Sequence, residues 1–300
     1  MRGKPDISLI VSSFERPANL QRCLHSIAAQ KGVNGRIEVI VADDGSRDET
    51  EELVRRFGHS VDFPIKFTVH EHNGFRLSQC RNEGVLASTA DYLLFTDADC
   101  VLPSDHLSIH LQSRRRGRVM AGHCYRLDAE ASDRLSVERI RMGNLFPLVR
   151  RREVRRAFWK GIKARAYELL RVSMRPRLSG SNIGVWRADC ERINGFDENF
   201  LGWGMEDTDF QRRLEAIGVR SSLASTGVYH LWHPQHPTYR KDSRGTANYE
   251  YYHRSGKIPS HCENGLNERS QATLDCNTFD ASLPLAAGVI PREARVVAKA

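Results

Sequence analysis

The sequence predicts an α/β fold, with a mainly parallel central sheet flanked by helices and a basic helical segment inserted into it. Three observations carry that expectation. Over roughly the first hundred residues, short apolar runs rich in β-formers alternate with stretches of helical periodicity. Each of four such runs ends in a polar cluster, as strands do where they open at one edge of a parallel sheet. Near residue 127 the alternation gives way to an arginine-rich stretch, and it resumes near residue 179.

Residues 7–11, 37–41, 65–69 and 92–95 read as buried strands, because Ile, Val, Leu and Phe fill them and polar turn residues bound them. Helices are predicted between them at 17–30, 47–57 and 77–88. Pro17 suits a first helical turn, where its missing N–H has no partner to lose, and Gly58 ends the second helix. This βαβαβαβ order, with right-handed crossovers, brings the carboxyl ends of all four strands to one edge, where ligands bind. A helix at 104–116 follows, with Ser104 as its cap and Gly117 as its stop. The clusters at the strand ends are Ser12-Ser13-Phe14-Glu15-Arg16-Pro17, Asp43-Asp44-Gly45-Ser46, His72-Asn73-Gly74 and Thr96-Asp97-Ala98-Asp99. Loops of this kind are polar in any case. Four in succession, rich in Asp, Asn, Ser and Gly, weigh toward a binding crevice.

Within 127–178, residues 150–172 place Val154, Phe158, Ile162, Ala166 and Leu170 on one helical stripe surrounded by arginine and lysine. Between Arg139 and Arg177, thirteen Lys/Arg meet only Glu153 and Glu168, so a chain of net charge +8 concentrates its positive charge here. A surface helix packing its stripe on the core is the plainer expectation, and contact with an anionic membrane surface, through 139–177, is the sharper one. Beyond it come a strand at 183–186, a short helix at 187–193, a Gly195-Phe196-Asp197 turn and a strand around 228–232 carrying His230. From about residue 270 the chain shows no periodicity and reads as a tail prone to disorder.

The 300 residues, 40% hydrophobic and 27% charged, supply a sizeable core for one large domain or two modest ones. No apolar run reaches the length of a membrane-spanning helix, and MRGKPDISLIVSSF leads straight into the first strand with no leader pattern. Seven scattered cysteines without a CxxC pair argue for a reducing compartment, and against a disulfide framework or a cysteine-based zinc site. The expected location is cytoplasmic, peripheral to the membrane where the basic segment touches it. No aromatic stacking platform or recognition motif accompanies the basic residues, so nucleic acid is not an expected partner.

The chemistry concentrates in three places. In Gly202-Trp203-Gly204-Met205-Glu206-Asp207-Thr208-Asp209-Phe210, a glycine-rich loop turns into a helix whose Phe210, Leu214 and Ile217 recur at helical spacing. Glu206 and Asp207 fall in its first turn, where the helix dipole favours ionised carboxylates. An ionised carboxylate beside Trp203 is what a sugar-binding general base needs, although an ordinary acidic helix start explains this stretch alone equally well. Asp97-x-Asp99, at a strand end, can hold a hard divalent cation that also bridges a diphosphate, although such pairs are common in turns. With Asp99, the imidazoles of His230 and His233 give a mixed oxygen and nitrogen shell that suits Mn2+ better than Ca2+.

ISLIVSSFERP, IEVIVADDGSRDET, NGFRLSQCRNEG and YLLFTDADC, in that order and spacing, resemble family 2 glycosyltransferases of the Rossmann-like GT-A fold. SGSNIGVWRADCERINGFDENFLGWGMEDTDFQRRL resembles the galactosyltransferase-type C-terminal segment shared by bacterial polymerising transferases and animal β-1,4-galactosyltransferases. The two matches cover roughly 5–126 and 178–234. They imply a nucleotide-sugar-binding half at 1–126, a basic insertion at 127–178, an acceptor and catalytic half at 179–240 and a C-terminal extension at 241–300. The implied activity is inverting transfer of a hexose or N-acetylhexosamine from a UDP-linked donor to a glycan or lipid-linked acceptor, with Mn2+ or Mg2+, in cell-surface polysaccharide biosynthesis.

Carried over residue by residue, the resemblance has Asp43 bond the base, while Ser12, Asp44, Asn73 and Arg81 line the nucleotide pocket. Asp97 contacts the ribose or a metal-bound water, and Asp99 and His233 ligate the metal. His230 falls where the animal relatives have a methionine ligand. Asp207 is the general base, Glu206 holds sugar hydroxyls, Trp203 offers the sugar an apolar face beside Gly204, and Asp209 is structural. Ala42 departs from the apolar β-branched residue common at its position. The alternative is a non-catalytic nucleotide- or glycan-binding domain on the same scaffold. Loss of Asp99 or Asp207 would mark it, and this chain keeps both.

Overall fold

β1 (Ile7–Ser13) and β2 (Ile37–Asp43) are buried at every position, as strands covered on both faces must be. They pair in parallel from Ile7↔Ile37 to Ser13↔Asp43. β3 (Ile65–Val69) extends the sheet beyond β2, and β4 (Tyr92–Asp97) joins the other side of β1, both in parallel. The crossovers are α1 (Pro17–Ala28), α2 (Thr50–Gly58) and α3 (Leu77–Ala87). A Cβ at Gly84 would overlap the Ile10 side chain, so glycine there lets α3 lie close on β1.

The computed structural model describes residues 3–33, 36–143, 145–234, 242–256, 258–268 and 274–281. After β4 come β5 (Cys100–Val101), α4 (His106–Ser113), β6 (Arg118–Arg126), α5 (Ala129–Asp133), α6 (Val137–Met142) and α7 (Arg151–Leu169). β7 (Ile183–Trp186), α8 (Arg187–Arg192), α9 (Glu206–Ala216), β8 (Arg220–His230), α10 (Ala247–Tyr252) and β9 (Cys276–Phe279) complete it. The nine strands form one sheet in the order β5-β8-β6-β7-β4-β1-β2-β3-β9. β7 runs antiparallel to both β4 and β6, and β6 runs parallel to β8. β1, β2, β3, β4, β6 and β8 therefore share one direction, and the sheet is mainly parallel as the sequence predicts. Their carboxyl ends, among them Ser13, Asp43, Asp97, Arg126 and His230, open along one edge.

Strand alternation sorts the core into two layers. Leu9, Val11, Val39 and Val41 face α1 and α2 residues such as Leu24 and Val54, while Ile10, Ile40, Phe95 and Ile183 face Phe196 and Phe210. A third cluster, including Val101, Leu135, Ile140, Leu148 and Leu231, gives the first part of the 127–178 segment its own core. Each such buried side chain contributes about 1.5–3 kcal/mol relative to exposure.

Several expectations need correction. α4 begins at His106, with Asp105 rather than Ser104 at its N-cap, and ends before Gly117. β8 reaches back to Arg220 and stops before Leu231. β6 was not foreseen, because His123 and Arg126 interrupt its apolar pattern. Within the expected tail, Cys276–Phe279 pairs antiparallel with β3 from Ile65↔Phe279 and closes that side of the sheet, so this stretch is ordered. Residues 282–300 lie outside those described. Of the α7 stripe, Val154 packs against the third core cluster, but most of the rest does not pack on the core. Phe158 is 63% exposed and Leu170 71%, while Glu153 and Ala164 are the helix's buried residues. No helix among the described residues is long and apolar enough to cross a membrane.

Candidate active site

At the carboxyl edge, a cavity of about 390 Å³ opens between the β1 end, the start of α3, the β4–β5 turn and the residues after β8. Its volume lies in the range of small-molecule sites. Ser12, Asp44, Asp97, Asp99, Trp203, His230 and His233 all line it, so one space collects much of the predicted set. Phe14, also in its wall, stacks on His72 with ring centroids 4.4 Å apart. The hydroxyl of Ser12 is buried with no hydrogen-bond partner among the described residues, which leaves it for a ligand.

Three nucleotide assignments are not supported by this placement. Asp43 is fully buried, and its carboxylate accepts hydrogen bonds from the Ser46 amide at 2.6 Å and the Ser46 hydroxyl at 2.8 Å. That carboxylate closes the βα turn, and Asp43 is not among the residues lining the cavity. Asn73 is exposed and absent from the cavity lining; its carbonyl accepts from Arg76 Nε at 2.9 Å. Arg81, only 1% exposed, sits beneath three carboxylates, with Nη1 2.8 Å from Asp207 and 3.5 Å from Glu206, and Nη2 3.6 Å from Asp97. It is a clamp on acidic groups. Asp44, by contrast, does line the cavity, with its carboxylate held by His70 Nε2 at 2.8 Å and the Arg76 amide at 3.2 Å.

The Cys100↔His230 pairing between β5 and β8 brings Asp99 to the two histidines. Asp99 lies 3.5 Å from His230 Nε2 and 3.1 Å from His233 Nε2. In both rings Nδ1 faces a main-chain carbonyl, that of Leu231 or Pro234, which turns Nε2 toward Asp99. The three donor atoms lie within 4.8 Å of one another, which fits a divalent ion held by one oxygen and two nitrogens. Burial alone would raise the Asp99 carboxyl, but the two histidines outweigh it and hold it below its ordinary range. Cys100, beside this cluster, is pushed well above the usual thiol range by burial and stays protonated.

The loop into α9 is bent tightly. Gly202, Gly204 and Met205 have φ of +77°, +99° and +75°. For Met205 that conformation costs on the order of 1 kcal/mol, stored in the segment that delivers Glu206 and Asp207. Asp207 accepts from Arg81 and, at 2.7 Å, from the Gly180 amide. A Cβ at Gly180 would overlap the Arg81 guanidinium, so only glycine lets the three groups meet. The sequence alone does not reveal this role, although Gly180 stands at the start of the galactosyltransferase-like segment. Burial, then the neighbouring Asp207, raises Glu206 to about 8. Burial also raises Asp97 to about 6, with Arg81 acting against it. Asp209 takes the structural role expected of it, fully buried and bonded to Arg212 and Arg213 at 2.6 Å each.

A second cavity, of about 570 Å³, adjoins the first and shares Leu77, Asp97, Arg126, Trp203 and His230 with it. Arg81, Glu206 and Asp207 line this one. The metal-type cluster thus stands on one side of Asp97 and Trp203, and the carboxylate pair on the other.

The family model described as Glycosyl transferase family 2 matches residues 8–171, more than half of the chain. The chain belongs to that family. The match continues past residue 126, where the recognisable motifs end, through most of the basic segment. A second model, described as the N-terminal domain of galactosyltransferase, matches residues 166–237. Among curated relatives, validoxylamine A glucosyltransferase of Streptomyces hygroscopicus subsp. limoneus is 29% identical over 237 residues, 73% of this chain and 50% of that protein. Hyaluronan synthase of Pasteurella multocida is 28% identical over 71% of this chain and 23% of its own length. This family 2 chain therefore spans half or less of the length of these relatives. Among solved structures, S. aureus TarS 1-349 in complex with UDP-GlcNAc superposes with a TM-score of 0.56 at 18% identity, covering 77% of this chain and 60% of that one. The mannosyltransferase PcManGT from Pyrobaculum calidifontis, in complex with GDP-Man and Mn2+, gives 0.52 at 18% identity, covering 79% and 59%. The shared architecture is the GT-A fold.

Proposed function

We propose that this family 2 chain is an inverting, metal-dependent glycosyltransferase that moves a hexose or N-acetylhexosamine from a UDP-linked donor to a glycan or lipid-linked acceptor. The observation that carries the reading is the meeting of the two cavities at Asp97 and Trp203, with Asp99, His230 and His233 in one and Asp207 in the other. The nucleotide sugars and Mn2+ in the structurally similar proteins support a nucleotide donor and a divalent ion. Held by Asp99, His230 and His233, Mn2+ would neutralise charge developing on the departing diphosphate.

The chain's own groups supply the rest. The acceptor oxygen forms a bond to the anomeric carbon while the bond from that carbon to the diphosphate oxygen breaks, taking its electron pair with the leaving group. The acceptor's proton passes to Asp207. Each Asp207 oxygen retains a lone pair beyond those used by Arg81 and Gly180. Glu206, protonated below about pH 8, donates a hydrogen bond to a sugar hydroxyl without repelling Asp207. Trp203, 40% exposed between the cavities, gives the sugar an apolar face. One base and one displacement from opposite faces invert the anomeric configuration.

The outer side of α7 supports peripheral attachment to the cytoplasmic face of a membrane, as part of cell-surface polysaccharide assembly. Phe158, Trp159, Ile162 and Leu169 are exposed there, alongside Arg151, Arg155 and Arg165. That composition suits an anionic leaflet. Sedimentation with vesicles of increasing anionic lipid content tests it, and binding indifferent to that content counts against it. For the activity, the test is release of UDP from UDP-Gal, UDP-Glc, UDP-GlcNAc and UDP-GalNAc with Mn2+ and with EDTA. Mn2+-dependent release from one of them is expected. Donor binding with no turnover under any condition would favour a non-catalytic binding domain.

A further inference from the structure

The second cavity is more basic than a neutral sugar acceptor requires. Arg126, Arg156, Lys160, Lys163, Arg175 and Arg177 line it, on three different segments of the chain. Among the described residues, Arg126, Lys160, Lys163 and Arg177 have no carboxylate within ion-pair distance, and Arg156 meets only Glu153, at 3.9 Å. The acidic groups in the wall are otherwise engaged, since Arg81 holds Asp97, Glu206 and Asp207. The cations also crowd one another. Burial, then the Arg156 guanidinium, pushes the Lys160 ammonium below its ordinary range. On β6, His123 projects into the same wall, and its Nε2 is buried with no hydrogen-bond partner among the described residues. Burial and the charges of Lys160 and Arg156 hold that imidazole neutral, at about 4.

Helix α7 is built for this placement. At 100° per residue, Arg156, Lys160, Lys163 and Tyr167 share the face turned to the cavity, while Phe158, Ile162 and Leu169 lie on the opposite side. Glu168 anchors the helix to β8 by accepting from the Leu223 amide at 2.7 Å.

We propose that this cavity seats an acceptor carrying a phosphoryl group, held by the cations of Arg126, Arg156, Lys160 and Lys163 while a hydroxyl of the same molecule reaches Asp207. Clustered Arg and Lys donors recognise phosphate oxygens through charge-assisted hydrogen bonds, and an anion relieves the mutual repulsion of the cations. The His123 nitrogen supplies a further partner at the cavity wall. The inference rests on the reading of Asp207 as the base, since that places the acceptor here. The phosphoryl group can belong to a soluble sugar phosphate or to a lipid phosphate drawn from a membrane.

The test uses the full chain in EDTA, so that phosphate does not bind through metal at the donor site. Glucose 1-phosphate is titrated calorimetrically, and neutral phosphatidylcholine vesicles with or without polyprenyl phosphate are sedimented with the protein. Saturable binding of glucose 1-phosphate marks a soluble source, and binding only to the doped vesicles marks a lipid one. With whichever probe binds, Arg156→Glu/Lys160→Glu is compared with Lys31→Glu/Arg115→Glu, an equal charge change at exposed positions away from both the cavity and the outer side of α7. The first pair is expected to weaken binding roughly tenfold or more, and the second by less than about twofold. Equal losses from the two pairs, or no binding of either probe, overturn the proposal. UDP release with no phosphate binding would sink this inference alone. Phosphate binding specific to the cavity with no UDP release would sink the transferase reading and leave the anion site standing.

Discussion

Arg81 and Asp207 stand 126 residues apart in sequence and 2.8 Å apart in space. Arg81 is the buried member of the pair, lodged on α3 with its guanidinium over the Phe196 ring at 5.0 Å. Through Asp97 it also reaches the edge of the cavity that holds Asp99. One cation thus fixes the relative placement of the donor-side and acceptor-side acids. Removing it leaves acidic groups facing one another in a poorly solvated space. Arg81→Met is therefore expected to destabilise the fold by about 3–5 kcal/mol, read as a lower denaturant midpoint. Arg81→Lys, which keeps the charge but loses the fork, is expected to recover part of that stability. Equal midpoints for Arg81→Met and the parent would remove Arg81 from its central place.

Glu206 gives the rate a pH signature. Its carboxyl titrates at about 8 because burial and Asp207 disfavour its charge. Transfer is expected to fall as pH rises through about 8, when Glu206 ionises beside Asp207. In Glu206→Gln, neutral at every pH, that alkaline limb is expected to disappear while activity at neutral pH stays within roughly an order of magnitude of the parent. An unchanged limb in the variant would assign it to another group.

His70 links stability to pH. Burial opposes its charge, but hydrogen bonds to Asp44 and Glu83 prevail and raise it from 6.5 to about 9. A raised histidine stabilises fully below its unfolded value and loses that contribution as pH climbs through the folded one. The stabilisation, on the order of 3 kcal/mol, is thus present below about 6.5 and gone above about 9. The difference in unfolding free energy between the parent and His70→Gln should be largest near pH 6 and shrink across that window. A difference that grows with pH contradicts the assignment.

The metal assignment makes a separate prediction. Asp99→Asn and His233→Ala are each expected to weaken Mn2+ binding by at least roughly tenfold to a hundredfold, measured by calorimetry or by electron spin resonance of the free ion. Cys100→Ser, replacing a thiol that stays protonated, is expected to leave it within a few fold.

Much of the framework was legible because parallel strands must be apolar on both faces. The runs at 65–69 and 183–186 gave their strands to the residue, and those of β1, β2 and β4 only stopped short of the polar ends. β6 escaped because its outer half lines a cavity, and polarity useful there looks like a loop in sequence. β9 escaped because an edge strand of four half-exposed residues has almost no pattern. In the site, local motifs singled out Asp99, His230, His233 and Asp207, and the structure brings the first three together and sets Asp207 in the adjoining cavity. Arg81 was expected in the nucleotide pocket, and its carboxylate partners on β4 and α9 meet it only in the folded chain. Asp43 and Asp44 look alike in sequence, and only the folded turn shows the first bonded to Ser46 and the second lining the cavity. Periodicity marked α7 as amphipathic, but it could not say that the basic side faces a cavity and the apolar side solvent.

The central claim is that Asp207, held by Arg81 and Gly180, takes the acceptor's proton. Its most direct test is sugar transfer by Asp207→Asn beside the parent, with UDP-sugar and Mn2+ binding measured on the same preparations. Transfer is expected to fall by roughly two to four orders of magnitude while donor and Mn2+ affinities stay within a few fold. Transfer at the parental rate, with donor binding intact, would contradict the account.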